Sequence, residues 1–337
     1  MKKLLVCVAA LGMLFTSCMR DETYVDNGSA VTFKISAPSV STRADNINDK
    51  FGIGVAAEEL HYAIFEVGED GNPIYDKVLN IAPASPITDF FAGETKEKEL
   101  QVRLVKGKSY VAMFWAQAPG APYTIVWPNV TMGEVNSNDE NLDAFFNTCK
   151  FTIDPTQDLP MQEVELRRPF AQVNVALGSN DLAAATTAGF EITKAGITVT
   201  GVPNTLNVYD GTTTGEVNVT YTATDLPEDV IFVDTQANSE EYSVVSFNYV
   251  LVSGSIWDTE NGEWVADNTE AMTNVTFEYG NDTETLTQTF QNIKVQRNHR
   301  TFILGSNDDN NGLLTGSVNF KVVILPGWEN PDYKTGI

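Results

Sequence analysis

Short runs of alternating apolar and polar residues, tight-turn dipeptides between them, and very little helical periodicity predict an all-β chain built from β-sandwiches. Its 337 residues allow one large domain or two ordinary ones.

The first alternating run is Val31 to Ser36, with Val31, Phe33 and Ile35 on one face and Thr32, Lys34 and Ser36 on the other. A Ser/Pro-rich stretch holding one arginine, Arg43, follows it. Leu60–Val67 and Pro73–Ile81 flank an Asp70-Gly71 pair, a strong hairpin signal. Glu99–Val105 places Leu100, Val102 and Leu104 on one face. Ser109–Ala116 is apolar on both faces, as a strand covered on both sides should be. Ile197–Val202, Glu216–Ala223, Tyr242–Gly254 and Asn274–Gly280 continue the pattern. Ser255–Val265 reads as another hairpin, turning at Asn261-Gly262 and carrying Trp257 and Trp264 on its arms. The last strand is Ser317–Leu325.

Helix signals are few. Ser179–Phe190 has Ser179, Asn180 or Asp181 as caps, an alanine-rich turn, and Gly189 to stop it. Asn138–Phe146 predicts a further helical turn. The two prolines in Asp154–Pro160 interrupt the strands and set an expected domain boundary near residue 160.

The N-terminus has the layout of an export signal: Lys2 and Lys3, an apolar run from Leu4 to Phe15, then Thr16, Ser17 and Cys18. That run is too short for a comfortable membrane span, and its ending resembles a bacterial lipobox with Cys18 as the lipidated residue. With Cys7 in the signal and Cys18 lipidated, Cys149 stands alone, so the core must hold the fold without an internal disulfide. Cys149 itself reads as a small packed hydrophobe. Beyond Arg43 the chain carries 16 Lys and Arg against 42 Asp and Glu. Such a balance argues against nucleic acid or anionic lipid as a binding partner.

An enzyme or a metal site finds little support. His61 and His299 fall in separate regions without a partner thiol, and there is no GxSxG. Gly52–Ala57 matches GxGxxA formally but is followed by a strand pattern where a dinucleotide site needs a long helix. Asn307–Gly312 resembles the start of a calcium loop, yet its twelfth position is Val318 where a glutamate is required. Arg167 and Arg168, with the cluster Arg297, His299 and Arg300, read as structural arginines that bond sheet-edge carbonyls or pair with a carboxylate while their stems cover apolar surface, the alternative being a ligand site. No catalytic residue, cofactor or metal is expected.

Lys106–Gln117, Asn138–Phe146, Leu166–Leu177 and Val295–Trp328 together resemble a fimbrillin-type surface lipoprotein of Bacteroides-like bacteria. Cys18-Met19-Arg20-Asp21-Glu22 is similar to the surface-export tag of lipoproteins from those bacteria. The resemblance implies two tandem transthyretin-like or immunoglobulin-like sandwich domains. It divides the chain into a signal (1–17), a lipidated propeptide with a removable first strand (18–43), and domains at 44–160 and 161–337. It further implies an outer-membrane precursor anchored by acylated Cys18, and an arginine-specific protease that cuts after Arg43. Loss of the strand bearing Val31, Phe33 and Ile35 then opens a groove for a segment of another pilin subunit, in a structure that supports adhesion to host or bacterial surface ligands. Only Pro326–Ile337 follows the last strand, with two prolines and no alternation, so no separate donor segment is evident. That favours a terminal or accessory pilin, or a subunit whose final strand rearranges on assembly; shaft, tip and anchor roles stay open. The competing expectation is a monomeric surface lipoprotein that binds a glycan or a host protein, with Trp257 and Trp264 as candidate contacts.

Overall fold

The computed structural model describes residues 28–37, 56–77, 80–88, 90, 97–228, 230–234, 240–252, 257–258, 263–264, 271–306 and 319–325. Over these residues the chain is a set of β-sheets with one α-helix and one 3-10 turn, an all-β sandwich architecture.

The strands of the first half are β1 (Gly28–Ser36), β2 (Glu59–Glu66), β3 (Glu97–Val105), β4 (Ser109–Gln117), β5 (Tyr123–Val126), β6 (Asn129–Met132), β7 (Val135–Asn136), β8 (Phe145–Thr152) and β9 (Gln162–Glu165). Next come β10 (Phe170–Gly178), α1 (Ser179–Thr187), β11 (Lys194–Val202), β12 (Thr205–Asn207), β13 (Thr213–Thr214), β14 (Val217–Asp225) and β15 (Ile231–Asp234). The remaining strands are β16 (Glu240–Leu251), β17 (Trp257–Asp258), β18 (Glu263–Trp264), β19 (Ala271–Gly280), β20 (Thr285–Val295), β21 (Arg300–Ser306) and β22 (Asn319–Leu325).

Two three-stranded sheets, β3-β1-β9 and β2-β4-β8, enclose one core. Two five-stranded sheets, β15-β16-β10-β21-β22 and β20-β19-β11-β14-β7, build a second sandwich. A small sheet, β13-β12-β6-β5, ties residues of the two halves together. β9 follows the expected boundary at 160 yet pairs with β1, while β7 precedes it yet pairs with β14.

β4 explains its own double apolar face. Tyr110, Ala112, Phe114 and Ala116 point into the first core. Val111, Met113 and Trp115 point the other way, into the core shared with the second sandwich. A strand with period-2 side chains can be apolar throughout only if both faces are covered, and here each face belongs to a different core.

Several local expectations hold in detail. β17 and β18 pair with Trp257 opposite Trp264. The 3-10 turn at Glu140–Leu142 is capped by Asp139, whose carboxylate accepts from the Asn141 N–H at 3.0 Å. α1 spans Ser179–Thr187, but Gly178 occupies its N-cap without a side-chain cap, so none of Ser179, Asn180 or Asp181 plays that part. Gly189, at φ 91°, follows its end.

The predicted 60–81 hairpin is only half formed. Gly71 takes φ 81° in the turn, but past Pro73 the return arm makes isolated bridges, Val67 to Pro73 and Ile64 to Ile81. The side-chain amide of Asn80 donates to the Ile74 carbonyl at 2.8 Å, a local bond that competes with the ladder. Gly196 on β11 has a steric reason: a Cβ there would lie 2.6 Å from the Tyr221 carbonyl oxygen, where β14 bulges against it.

Burial holds the His61 imidazole below its ordinary value, and Glu59, 3.6 Å away, offsets this only partly. The unfolded chain then binds the proton more readily than the native one, so stability declines as pH falls through and below the ordinary histidine range. The urea midpoint should therefore drop between about pH 7.5 and about pH 5, and His61→Gln should flatten that drop. An unchanged slope in the variant would assign the acid sensitivity to other groups.

Candidate functional site: the slot held by the first strand

β1 is the middle strand of its sheet. It pairs antiparallel with β3 along all of Gly28–Ser36, and parallel with β9 from Phe33 to Ser36. Among the described residues neither β3 nor β9 has another ladder partner. Removing β1 would leave two strands facing each other across a gap one strand wide.

The side chains fill this slot as the alternation predicts. Val31, Phe33 and Ile35 are each 0% exposed. The Phe33 ring meets Phe114 and Phe151 edge-on, with centroids 5.5 and 5.4 Å away. Both ends are fastened: Arg103 donates to the Gly28 carbonyl at 3.2 Å, and the Leu166 N–H donates to the Ser36 carbonyl at 2.8 Å. Burying three such side chains stabilises by about 1.5–3 kcal/mol each. Together with the ladder bonds, that is on the scale of a domain's net stability.

The outward face of β1 is electrostatic. Lys34 lies in register between Glu99 on β3 and Glu163 on β9. Its ammonium is 3.0 Å from Glu97. The hydrogen bond and charge of Glu97, supported by Glu163 and Glu99, hold the Lys34 pKa above its ordinary value. One row further, Ser36 lies between Glu97 and Glu165.

The other sequence candidates distribute as follows. Arg43 and Cys18 lie outside the described residues, as does the Asn307–Gly312 loop. Of Gly52–Ala57 only Ala56 and Ala57 are described, and β2 follows them. Cys149 is half-buried and packs against the first core, where burial pushes its thiol up to about 11. His299 faces the Arg297 carbonyl at 2.8 Å. The backbones of Trp257 and Trp264 are paired in register.

The two arginine clusters meet at the crossing between the sandwiches. The Asn298 N–H donates to the Phe170 carbonyl at 2.7 Å, and Gln172 N–H to the His299 carbonyl at 2.9 Å. Arg168 forms a two-pronged pair with Asp143, Nε to Oδ1 at 2.8 Å and Nη2 to Oδ2 at 2.9 Å, with side chains 1% and 0% exposed. Its guanidinium also lies 4.6 Å from the Phe145 ring centroid. Arg297 donates to the Gly211 carbonyl at 3.0 Å. Desolvation, with the neighbouring Arg168 charge, presses the Arg300 guanidinium below its usual range. The Asp143 partner was not foreseen; an acid directly after a helical turn and before an aromatic pair was the available signal.

Substitutions probe the slot and the crossing in turn. Phe33→Ala should cost about 3–5 kcal/mol in urea unfolding. Asp143→Ala strands a buried guanidinium and should cost a similar ~3–5 kcal/mol, whereas Asp143→Leu combined with Arg168→Met should cost much less. Equal losses for the single and double changes at the crossing would show that packing, and not the uncompensated charge, dominates there.

Comparison with solved structures finds similar chains at low identity. A fimbrial assembly protein from Parabacteroides distasonis is 14% identical, with TM-score 0.41, covering 88% of this chain and 99% of that one. A candidate adhesin from Bacteroides thetaiotaomicron is 11% identical, with TM-score 0.46, covering 88% and 96%. Another Bacteroides thetaiotaomicron chain, from a set described as candidate polysaccharide-binding proteins, is 11% identical, with TM-score 0.46, covering 89% and 97%. No curated protein matches. A family profile described as "Family of unknown function (DUF6562)" matches residues 22–337, and the chain belongs to that family.

Proposed function

We propose that this chain is a subunit of a surface fimbria, matured by arginine-specific cleavage and assembled by strand replacement. The observation that carries the reading is the position of β1: a central strand with Val31, Phe33 and Ile35 fully buried, ending a few residues before Arg43.

In this reading the precursor is held at the outer membrane by acylated Cys18. Arg43 lies in a small-residue stretch, Ser39 to Ala44, of the kind proteolysis prefers. One cut there detaches the lipid anchor and the strand together. The opened slot is then filled by an extended segment of another subunit, whose main chain supplies affinity and whose alternate side chains supply register. The subunit so assembled serves adhesion at the cell surface.

Limited trypsin on the purified full chain should release the residues up to Arg43 and yield SDS-resistant or filamentous oligomers. Arg43→Ala should remain monomeric under the same treatment. A stable monomer after cleavage, or assembly of Arg43→Ala at the wild-type level, would sink the proposal.

A further inference from the structure

The sheet β20-β19-β11-β14-β7 turns one face into the second core, where Val199, Tyr221, Phe277 and Phe290 are buried, and the other face outward. On the outward face a row of threonines crosses four strands. Thr220 on β14 is in register with Thr198 on β11, Thr198 with Thr276 on β19, and Thr276 with Thr289 on β20. Their hydroxyls are bonded in two pairs, Thr198 with Thr220 and Thr276 with Thr289, each at 3.1 Å. Within a pair one O–H donates to the other hydroxyl, which leaves the second O–H and further lone pairs to a ligand. Thr200 beside Asn274 extends the face on one side of the row, and Thr287 beside Glu278 on the other. Strand spacing makes the row roughly 14 Å long, with about 7 Å between rows. In a chain of net charge −24, Glu278 is the one carboxylate among these residues. The outward face of β3-β1-β9 differs, with Glu97, Glu99 and Glu163 around Lys34.

At its β7 edge the threonine face runs into a cleft of about 410 Å³ between residues 136–139 and 224–227. Asn136, exposed and in register with Thr222 on β14, belongs to both the face and the cleft lining. The cleft walls are tied to each other. The Asn138 amide donates to the Asp225 carbonyl at 3.1 Å, and the Thr224 hydroxyl donates to the Ser137 carbonyl at 2.8 Å. Asp139 and Asp225 bring carboxylate acceptors to the lining, and Leu226 and Pro227 an apolar side.

From this we infer that the face and cleft together bind an uncharged saccharide chain, at a site separate from the slot and independent of strand replacement. Threonine offers a hydroxyl and a methyl from one side chain, and a sugar ring presents hydroxyls and C–H groups in the same mixture. The cleft carboxylates accept from sugar hydroxyls and repel anionic sugars. A second copy of this chain meets a like net charge, and the face has no apolar centre of the kind that stable protein interfaces use. The cleft is within the size range of small-ligand sites, so it holds the end or a branch of the saccharide while the threonine rows carry the remainder. Contacts repeated along a polymer raise the avidity of individually weak ones.

The test uses the full chain carrying Arg43→Ala, so that cleavage and assembly play no part in the readout. It is run through native gels containing mannan, dextran or xylan, with polygalacturonate as the anionic counterpart. At least one neutral polymer should retard it, and polygalacturonate should not. Thr198→Val/Thr276→Val removes two hydroxyls while keeping shape and strand propensity, and should weaken the retardation roughly fivefold or more with the urea midpoint unchanged. Asn136→Ala, at the junction of face and cleft, should weaken it as well. Indifference to all three neutral polymers, equal retardation by polygalacturonate, or full retardation of both variants overturns the inference and leaves strand replacement untouched. A dimer in sedimentation that the threonine change abolishes also overturns it, by giving the face to a second copy.

Discussion

The first sandwich depends on a single shared neighbour. β3 and β9 have no ladder partner among the described residues except β1, so one strand supplies the backbone pairing for an entire sheet. The opposite wall, β2-β4-β8, is far better supported, because its outer face is buried against the second sandwich. Loss of β1 would thus open one side of the first core while leaving the wall shared by both cores in place.

The crossing between sandwiches meets a different requirement. The chain leaves β9 at Glu165 and enters β10 at Phe170, and within those few residues Arg167 exchanges backbone hydrogen bonds with Phe146 while Arg168 is locked to Asp143. Placing guanidinium groups in a chain with so few positive charges, and burying them, is costly unless each is paired or bonded to carbonyls. The two-pronged geometry meets that condition and fixes where the second sandwich begins. Arg168 therefore belongs to the architecture of the joint.

Much of this was legible in the residues because period-2 patterning reports faces directly. Val31, Phe33 and Ile35 occupy the face that their alternation assigned them, and the double-sided run of β4 marked a strand covered twice. The return arm after Pro73 was misjudged because alternation cannot register a competing side-chain bond such as that of Asn80. The α1 cap went to Gly178 because β10 runs straight into the helix with no loop in which a polar cap could turn. Sheet order was the least legible feature. Nothing local to β9 says that its partner lies over a hundred residues earlier, or that β7 serves the other sandwich. The glutamate rows shared that fate, since each glutamate alone looked like ordinary surface charge until register set them around Lys34.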